Sequence, residues 1–314
     1  MPGYELLRTL GRGAMGVVYL GRSDATGELV AVKTVRPDEP DRGTYVRRLM
    51  REAHTLKTLV HPGIAGWIDL VDSPNGIYLV MQYVPGWYSL RDLLKRYNRI
   101  PPVIAARIVR QAVEALAYAE SLHIIHRDIK PDNIMIAHSF EGPPPDLHTL
   151  FDHPQTRIMI IDFGLTKGLA GAPHLDAITT DGTAIGSPVY MAPEQALGRT
   201  VDFRTDMYAL GTTFYQLLTG STPFTAKTAI EALQKKVDLV DFPMPSQQGV
   251  LVPSAIEAVL KRMVAYKPAD RYASYEVLMA VLDGILDGPT STKPVGDKPG
   301  CLGLGLLFRR RRPS

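Results

Sequence analysis

The sequence is poor in cysteine, with Cys301 as the one thiol in 314 residues. A single thiol excludes an intramolecular disulfide framework, and no group of Cys and His residues has the spacing of a zinc site. No apolar run reaches the ~18 residues that cross a membrane, and the opening MPGYELL lacks the basic and apolar regions of a signal peptide. These absences predict a cytoplasmic protein without a transmembrane segment.

Neither sign of charge is in large excess, since 35 Lys and Arg residues stand against 32 Asp and Glu residues. The net charge is +3, and a run of arginines at 309–312 accounts for it, so the rest of the chain is nearly neutral. Bulk charge therefore gives no reason to expect nucleic acid as the main partner. The hydrophobic content of 45% is that of an ordinary globular protein with a sizeable core.

The first part of the chain, up to about residue 81, predicts a small antiparallel sheet. Apolar and polar residues alternate in YELLRTLG, VVYLGRS, ELVAVKTV and GIYLVMQYV, and Gly-rich turns separate these segments. One amphipathic segment, 44–59, interrupts the alternation and predicts a single helix among the strands.

The second part predicts mostly helices. Residues 101–122 are amphipathic and begin with proline, which suits the first turn of a helix. Residues 205–219 are apolar on nearly every side, which is typical of a helix in the middle of a domain. From about residue 287 the composition changes to Gly, Pro, Lys and Ser, which predicts a disordered tail.

A glycine motif, GRGAMGVVY, joins two predicted strands and contains Gly11, Gly13 and Gly16. Glycines at this spacing let backbone N–H groups approach phosphate oxygens without hindrance from side chains. A glycine-rich hairpin that binds nothing is the alternative. Because a strand follows the motif rather than a helix, the pattern argues against a dinucleotide-binding fold.

Two charged residues have apolar neighbours. Lys33 belongs to the predicted strand VAVK, and Glu52 lies on the apolar stripe of the predicted helix. A strand lysine usually faces solvent, but an unpaired carboxylate on an apolar stripe would be costly to bury. An ion pair between them explains both positions and would direct the ammonium group towards the phosphates of a ligand.

The densest polar segment is HRDIKPDN, residues 126–133, which lies between two apolar runs. Asp128 can accept a proton from a hydroxyl group, Lys130 can neutralise phosphate charge, and Asn133 offers an oxygen to a hard metal ion. A polar turn that caps a helix is the alternative. Asp162, at the end of the predicted buried strand in RIMIIDFG, is a second candidate oxygen ligand for a divalent cation.

These motifs occur in the order of the protein-kinase signature set, which continues with DFG at 162–164 and APE at 192–194. Residues 4 to 286 therefore resemble the protein kinases. The segment GSPVYMAPEQALGRTVDFRTDMYALGTTFYQLLTGSTPF is most similar to the eukaryotic-like Ser/Thr kinases of bacteria.

The resemblance implies an α+β fold, the two-lobed protein-kinase fold, over residues 1–286. The N-lobe, about 1–81, would be a small antiparallel β-sheet with one helix. A hinge at 82–86 would connect it to a larger, mainly helical C-lobe at 87–286. Residues 287–314 would form the tail with its basic end.

The resemblance also implies a mechanism, in which four residues are catalytic. Asp128 would orient and deprotonate the substrate hydroxyl group, and Lys130 would stabilise the transferring phosphoryl group. Lys33, paired with Glu52, would contact the α- and β-phosphates of ATP.

By the same resemblance, ATP would lie between the lobes, with Mg²⁺, or Mn²⁺ in its place, held by Asn133 and Asp162. Adenine would bond to the backbone of Gln82 and Val84, with Met81 as the gatekeeper residue behind it. The implied ATP contacts are Leu10, Gly11, Arg12, Gly13, Ala14, Met15, Gly16, Val18, Ala31, Lys33, Met81, Gln82 and Val84.

Substrate choice follows from the same comparison. Lys130 within DIKPDN is the form found in Ser/Thr kinases, and Ser187 takes the family's position that contacts the catalytic Asp. Protein Ser or Thr hydroxyl groups are therefore the implied acceptors. Asp132 could favour basic residues upstream of the target, or it could be a solvated loop residue.

Further residues have implied structural or regulatory roles. Asp206 would anchor the catalytic loop from the buried helix, and Glu194 would pair with Arg271. Arg127, directly before the catalytic Asp, commonly marks kinases whose activation segment is ordered by a phosphate group. The candidate phosphosites, which a transient homodimer could autophosphorylate, are Thr179, Thr180 and Thr183.

Two segments depart from the family pattern. The Pro-rich insertion at 137–157 is expected to be a surface loop, with a docking element as the alternative. The end of the tail, 300–314, is expected to be disordered, with weak contact to an anionic membrane surface as the alternative.

Two other functions share many of these residues. A small-molecule phosphotransferase also uses the lysine, the catalytic Asp and the metal-binding Asp, but it lacks the APE-type segment. A pseudokinase scaffold would use the same fold for binding only, although Lys33, Glu52, Asp128, Asn133 and Asp162 are all present.

Overall fold

The computed structural model describes residues 1–13, 16–36, 41–86, 88–138, 146–163, 188–224, 228–238 and 241–288 of the chain. Within these ranges the N-terminal part is a sheet of five antiparallel strands in the order β1-β2-β3-β5-β4. The strands are β1 (Tyr4–Gly13), β2 (Gly16–Ser23), β3 (Leu29–Thr34), β4 (Trp67–Ser73) and β5 (Gly76–Gln82).

One helix, α1 (Arg42–Thr58), packs on this sheet, close to the segment 44–59 that the sequence predicts. Strand alternation separates two faces, because successive side chains point to opposite sides. Ala31 and Met81, which pair across β3 and β5, lie in the same core cluster as Leu56 of α1. Val32 belongs to a separate cluster on the other face.

The C-terminal part is mainly helical in the residues that are described. Its central helix is buried from Thr205 to Leu218, as the apolar segment 205–219 predicts. The helices are α2 (Leu90–Tyr97), α3 (Pro102–Ser121), α4 (Leu147–Asp152), α5 (Pro193–Ala196), α6 (Arg204–Thr219), α7 (Ala229–Val237), α8 (Ser254–Met263) and α9 (Tyr275–Leu286). The predicted α+β architecture, with a small sheet domain and a helical domain, is confirmed.

A second, three-stranded sheet within the described residues positions the polar loop. Its strands are β6 (Tyr88–Ser89), β7 (Ile134–Ala137) and β8 (Arg157–Ile160), and β7 pairs with β8 so that Ile134 lies opposite Ile160. Since β7 begins directly after Asn133 and β8 ends just before Asp162, the pairing brings these two polar residues to the same end of the sheet.

Part of the insertion at 137–157 is a packed helix, so the expectation of a surface loop is wrong for these residues. In α4, Leu147 and Leu150 are buried in the main core, while Asp152 accepts a hydrogen bond of 2.7 Å from Arg107 on α3. The side chain of Asp146 caps the helix by accepting from the Thr149 N–H. The two leucines supply the apolar contact that holds the insertion against α3.

Among the described residues, no helix combines the length and the apolar character needed to span a bilayer.

Candidate active site

A buried lysine meets two carboxylates where β3, α1 and the end of β8 come together. The Nζ atom of Lys33 lies 2.8 Å from each carboxylate oxygen of Glu52, and it also contacts Oδ1 of Asp162. Glu52 is only 3% exposed, so it depends on Lys33 for compensation of its charge. The structure thus brings together three residues that sequence analysis relates to phosphate and metal binding.

One ammonium group faces two carboxyl groups at this point. Burial raises the pKa of Glu52 to about 8, although Lys33 opposes the shift and Asp162 adds to it. Burial also disfavours the charge of Asp162, but Lys33 holds the pKa of Asp162 well below its ordinary value. An added cation would favour the ionised form of both carboxyl groups.

The polar loop at 126–133 brings three further predicted residues together. Lys130 Nζ donates to Oδ2 of Asp128 at 2.6 Å, and Asn133 Nδ2 approaches the same oxygen at 3.2 Å. Asn133 Nδ2 also donates to the backbone carbonyl of Asp128 at 2.8 Å. Both bonds to the carboxylate use Oδ2, so within the described residues Oδ1 of Asp128 has no hydrogen-bond partner.

Asp206, on the buried helix α6, holds this loop from below. Its two carboxylate oxygens accept the backbone N–H groups of His126 and Arg127 at 2.6 and 2.7 Å. Arg127 has a φ of 69°, a left-handed conformation that a residue with a side chain adopts only when its surroundings enforce it. Asp206 therefore occupies the anchoring position that the sequence resemblance implies.

His126 connects the loop to the strand that carries Asp162, a link that sequence analysis missed. Its ring Nε2 lies 2.9 Å from the carbonyl oxygen of Ile161, and its Nδ1 accepts the Asp128 N–H at 3.2 Å. The ring is fully buried and packs edge-on against Phe163 at 4.6 Å between centroids. The position of His126 within HRDIKPDN gave the only signal, and its partners were not readable from the chain.

The residues present fit a divalent cation. Because Asn133 directs its Nδ2 to Asp128, its amide oxygen is left without a hydrogen bond to the described part of the chain. Asp162 has a φ of 71°, a strained conformation of the kind found at functional sites. One carboxylate and one amide oxygen at the same end of a sheet are the ligand types that Mg²⁺ and Mn²⁺ prefer.

The glycines of the first turn differ in what they allow. A side chain at Gly16 would collide with the Thr34 carbonyl oxygen, so this glycine is required by the approach of β2 to β3. At Gly11 and Gly13 the space is open among the described atoms, which would let a ligand approach the backbone. Leu10 and Val18 pack beside them against the core.

The connection after β5 contains the two predicted adenine contacts, Gln82 and Val84. The N–H of Gln82 donates to the Gly66 carbonyl at 2.8 Å, so a bond from Gln82 to adenine would have to use its carbonyl group. Val84 makes no backbone hydrogen bond to another described residue. Ala31 and Met81 are buried next to this connection, as an apolar adenine site requires.

Glu194 and Arg271 form a buried, two-pronged ion pair with bonds of 2.7 and 2.8 Å. The guanidinium group also donates to the carbonyl oxygens of Ala265, Arg204 and Tyr266. Both side chains are nearly inaccessible to solvent, with Arg271 at 0% and Glu194 at 4% exposure. The pair fixes α5, with its APE sequence, to the rest of the helical part.

Lys236 on α7 is a buried cation that sequence analysis missed, since QKKV is typical of an exposed helix face. It is 2% exposed, donates to the Met191 carbonyl oxygen at 2.6 Å, and lies over the Tyr208 ring at 4.9 Å. Burial lowers its pKa well below the ordinary 10.5, with Glu194 opposing the shift. Lys236 thus connects α7 to the segment that precedes α5.

Replacing Lys236 by Met should change how stability depends on pH. Between its lowered pKa and the ordinary 10.5 the folded protein binds fewer protons than the unfolded chain, so the free energy of unfolding rises with pH. Urea unfolding at several pH values should show this rise in the wild type and a smaller one in Lys236→Met. The control is Lys235→Met, the partly exposed neighbour that pairs with Glu231. Equal slopes in the wild type and in Lys236→Met would contradict the expectation.

Several predicted residues lie outside the described ranges. They are Ala14, Met15, Gly164, Thr179, Thr180, Thr183 and Ser187, and with them the tail from 289 onwards.

Comparison with known proteins matches the family model described as protein kinase domain to residues 4–281. The chain is 32% identical over 284 residues to serine/threonine-protein kinase PrkC of Bacillus subtilis, which covers 90% of this chain and 40% of that protein. It is 35% identical over 308 residues to Pkn1 of Myxococcus xanthus, covering 98% and 41% of the two chains. PknB of Mycolicibacterium smegmatis is 33% identical over 295 residues, with 93% and 44% covered. The chain spans less than half the length of these curated relatives.

Proposed function

Since the chain belongs to the protein kinase domain family, we propose that it transfers the γ-phosphoryl group of ATP to serine and threonine hydroxyl groups of proteins. The relatives compared above are named serine/threonine-protein kinases. The observation that carries the proposal is the convergence of Asp128, Lys130 and Asn133 in one loop, next to Asp162.

In this proposal Asp128 receives the substrate. Its Oδ1 accepts a hydrogen bond from the incoming hydroxyl group and takes its proton as the hydroxyl oxygen bonds to the γ-phosphorus. The bond from the γ-phosphorus to the bridging oxygen breaks in the same step, and ADP leaves. Lys130 donates to Oδ2 of the same carboxylate. From this position its ammonium group would also donate a hydrogen bond to the transferred phosphoryl group. Phosphoryl transfer has a loose transition state, so positioning and charge compensation supply most of the catalysis.

The phosphates of ATP are held from the other side of the cleft. Lys33 offers its ammonium group, and the open backbone at Gly11 and Gly13 allows N–H groups to approach the phosphates. Asn133 and Asp162 would hold Mg²⁺ or Mn²⁺, which would neutralise the charge of the phosphates. Val84 would bond the adenine ring.

The test is a phosphotransfer assay with ATP, Mg²⁺ and peptides that carry Ser, Thr or Tyr as the acceptor. We expect phosphate on Ser and Thr, and a loss of about a hundredfold in kcat/KM for Lys33→Met, because a charged contact to the phosphates is removed. Lys261→Met, an exposed lysine of α8, should keep wild-type activity. Equal activity of Lys33→Met and wild type would reject the proposal.

Activation by autophosphorylation is part of the same proposal. Arg127 lies next to Asp128, and its Nε atom is buried without a hydrogen-bond partner among the described residues. A phosphate group on the segment between DFG and APE would supply an acceptor for it. The candidate acceptors are Thr179, Thr180 and Thr183.

A variant with all three threonines replaced by Ala should lose activity relative to the wild type isolated after incubation with ATP. Mass spectrometry of the wild type should find phosphate in this segment, and the rate of incorporation should rise with protein concentration if a transient homodimer is the reacting species. An unphosphorylated segment in a fully active protein, together with full activity of the triple variant, would dismiss the idea.

A further inference from the structure

The edge of the catalytic loop carries a second charged group that the mechanism above does not use. Asp132 lies in the short 3-10 turn Pro131–Asn133, directly after Lys130. Arg91 of α2 reaches this turn, and its Nη2 lies 2.9 Å from Oδ2 of Asp132 while its Nε lies 3.3 Å from both carboxylate oxygens. Both oxygens of Asp132 are therefore engaged by one guanidinium group.

A hydrogen-bond chain holds Arg91 in this orientation. Its Nη2 also donates to the Tyr190 hydroxyl group at 3.2 Å, and that hydroxyl group donates to Oε1 of Gln216 at 2.5 Å. Tyr190 and Gln216 are both buried, so the end of the chain is fixed within the core. Arg91 is thus set against Asp132 by a scaffold and is not a mobile surface side chain.

The pair lies close to Asp128 along the chain. Asp128 and Asp132 are four residues apart on one loop, and a chain spans at most ~3.3–3.6 Å per residue. A substrate residue within about four positions of the target hydroxyl group can therefore span the distance from Asp128 to Asp132. The side chains of Arg91 and Asp132 are 32% and 44% exposed, so a passing peptide can contact them.

Within the described residues, the side chain of Arg91 bonds to Asp132 and to Tyr190. Burial opposes the charge of Arg91, but these two partners hold its pKa above the ordinary value. Gln216 is a neutral acceptor, so it adds no negative charge that a cationic side chain of a substrate could use.

We propose that Arg91 determines substrate specificity by masking Asp132, so that the enzyme has no preference for basic residues near its target Ser or Thr. This inference rests on the proposed kinase activity. A Lys or Arg of a substrate can bind Asp132 only by displacing Arg91 and breaking its bonds to the carboxylate and to Tyr190. The position facing Asp132 therefore does not select protein substrates for a basic residue.

A peptide series tests the masking. One neutral Ser peptide is varied by placing Arg, Ala or Glu at each position within four residues of the target, and kcat/KM is measured for each. For the wild type, Arg should be no better than Ala at any position. For Arg91→Ala, one position should show a preference of about fivefold for Arg over Ala, as expected for a partly exposed ion pair.

Two variants separate masking from a general structural effect. The double variant Arg91→Ala/Asp132→Asn should lose the acquired preference, because no carboxylate remains to be unmasked. Lys95→Ala removes a cation from the same helix without a bond to Asp132 and should leave every ratio unchanged. If the role of Arg91 were merely structural, Arg91→Ala would lower kcat/KM for all peptides equally. If Arg91 masks Asp132, the KM for ATP should be the same in Arg91→Ala as in the wild type.

The outcomes are distinct. The inference is overturned if the wild type already prefers Arg fivefold at the peptide position facing Asp132. It is also overturned if Arg91→Ala acquires no preference for Arg. In both cases the proposed kinase activity stands. A wild type that phosphorylates no peptide at all rejects the proposed activity and the inference with it.

Discussion

Replacing Asp128 by Asn is expected to lower kcat by ~10²–10⁴-fold, the range that a general base contributes. The asparagine amide keeps the size of the side chain, but it cannot take a proton from the substrate hydroxyl group. Lys130 and Asn133 would also lose a charged acceptor, since both bond Oδ2. The measurement is steady-state phosphorylation of a Ser peptide at saturating ATP.

The KM for ATP should change little in this variant, because Asp128 makes no bond to Lys33 or Asp162 within the described residues, so these two keep their contacts. A loss in kcat with constant KM for ATP is the signature of an interaction made in the transition state. Asp152→Asn, the same substitution at an exposed position of α4, is the matched control. If kcat of Asp128→Asn stays within tenfold of the wild type, Asp128 is not the base.

Local pattern predicts much of this fold. The segments 101–122 and 205–219 become Pro102–Ser121 and Arg204–Thr219, since apolar periodicity depends only on nearby residues. The pairing of Lys33 with Glu52 is also readable, because each charge is out of place in its own element and needs a partner.

Contacts between distant segments are what the sequence does not reveal. Nothing in LRDLLKRY indicates that Arg91 will cover Asp132, and nothing in QKKV indicates that Lys236 is buried. The same holds for α4, whose apolar stripe is short and follows a Pro-rich stretch. In each case the partner lies far along the chain, and tertiary packing decides whether a charged or apolar side chain is covered.

The ion pair of Glu194 with Arg271 explains why a buried charge can be tolerated here. Removing water from both groups is costly, and the cost is offset only because the bonds are directed and the remaining guanidinium N–H groups are satisfied. Thr205 adds a hydrogen bond of 3.0 Å to Glu194. The network depends on both partners, so removal of one leaves the other charged and without compensation.

Replacing Arg271 by Met is therefore expected to lower the free energy of unfolding by ~3–5 kcal/mol, a large part of the ~5–15 kcal/mol that a domain has. The double variant Glu194→Gln/Arg271→Met should recover part of this loss, because no unpaired carboxylate is left in the core. Urea unfolding of the wild type, both single variants and the double variant gives the coupling energy directly. Losses that simply add would show that the two side chains do not depend on each other, contrary to the bonds between them. If Arg271→Met is too unstable to purify, the double variant is compared with Glu194→Gln in yield and in unfolding midpoint. This comparison still shows whether the loss of Arg271 is less costly when Glu194 is neutral.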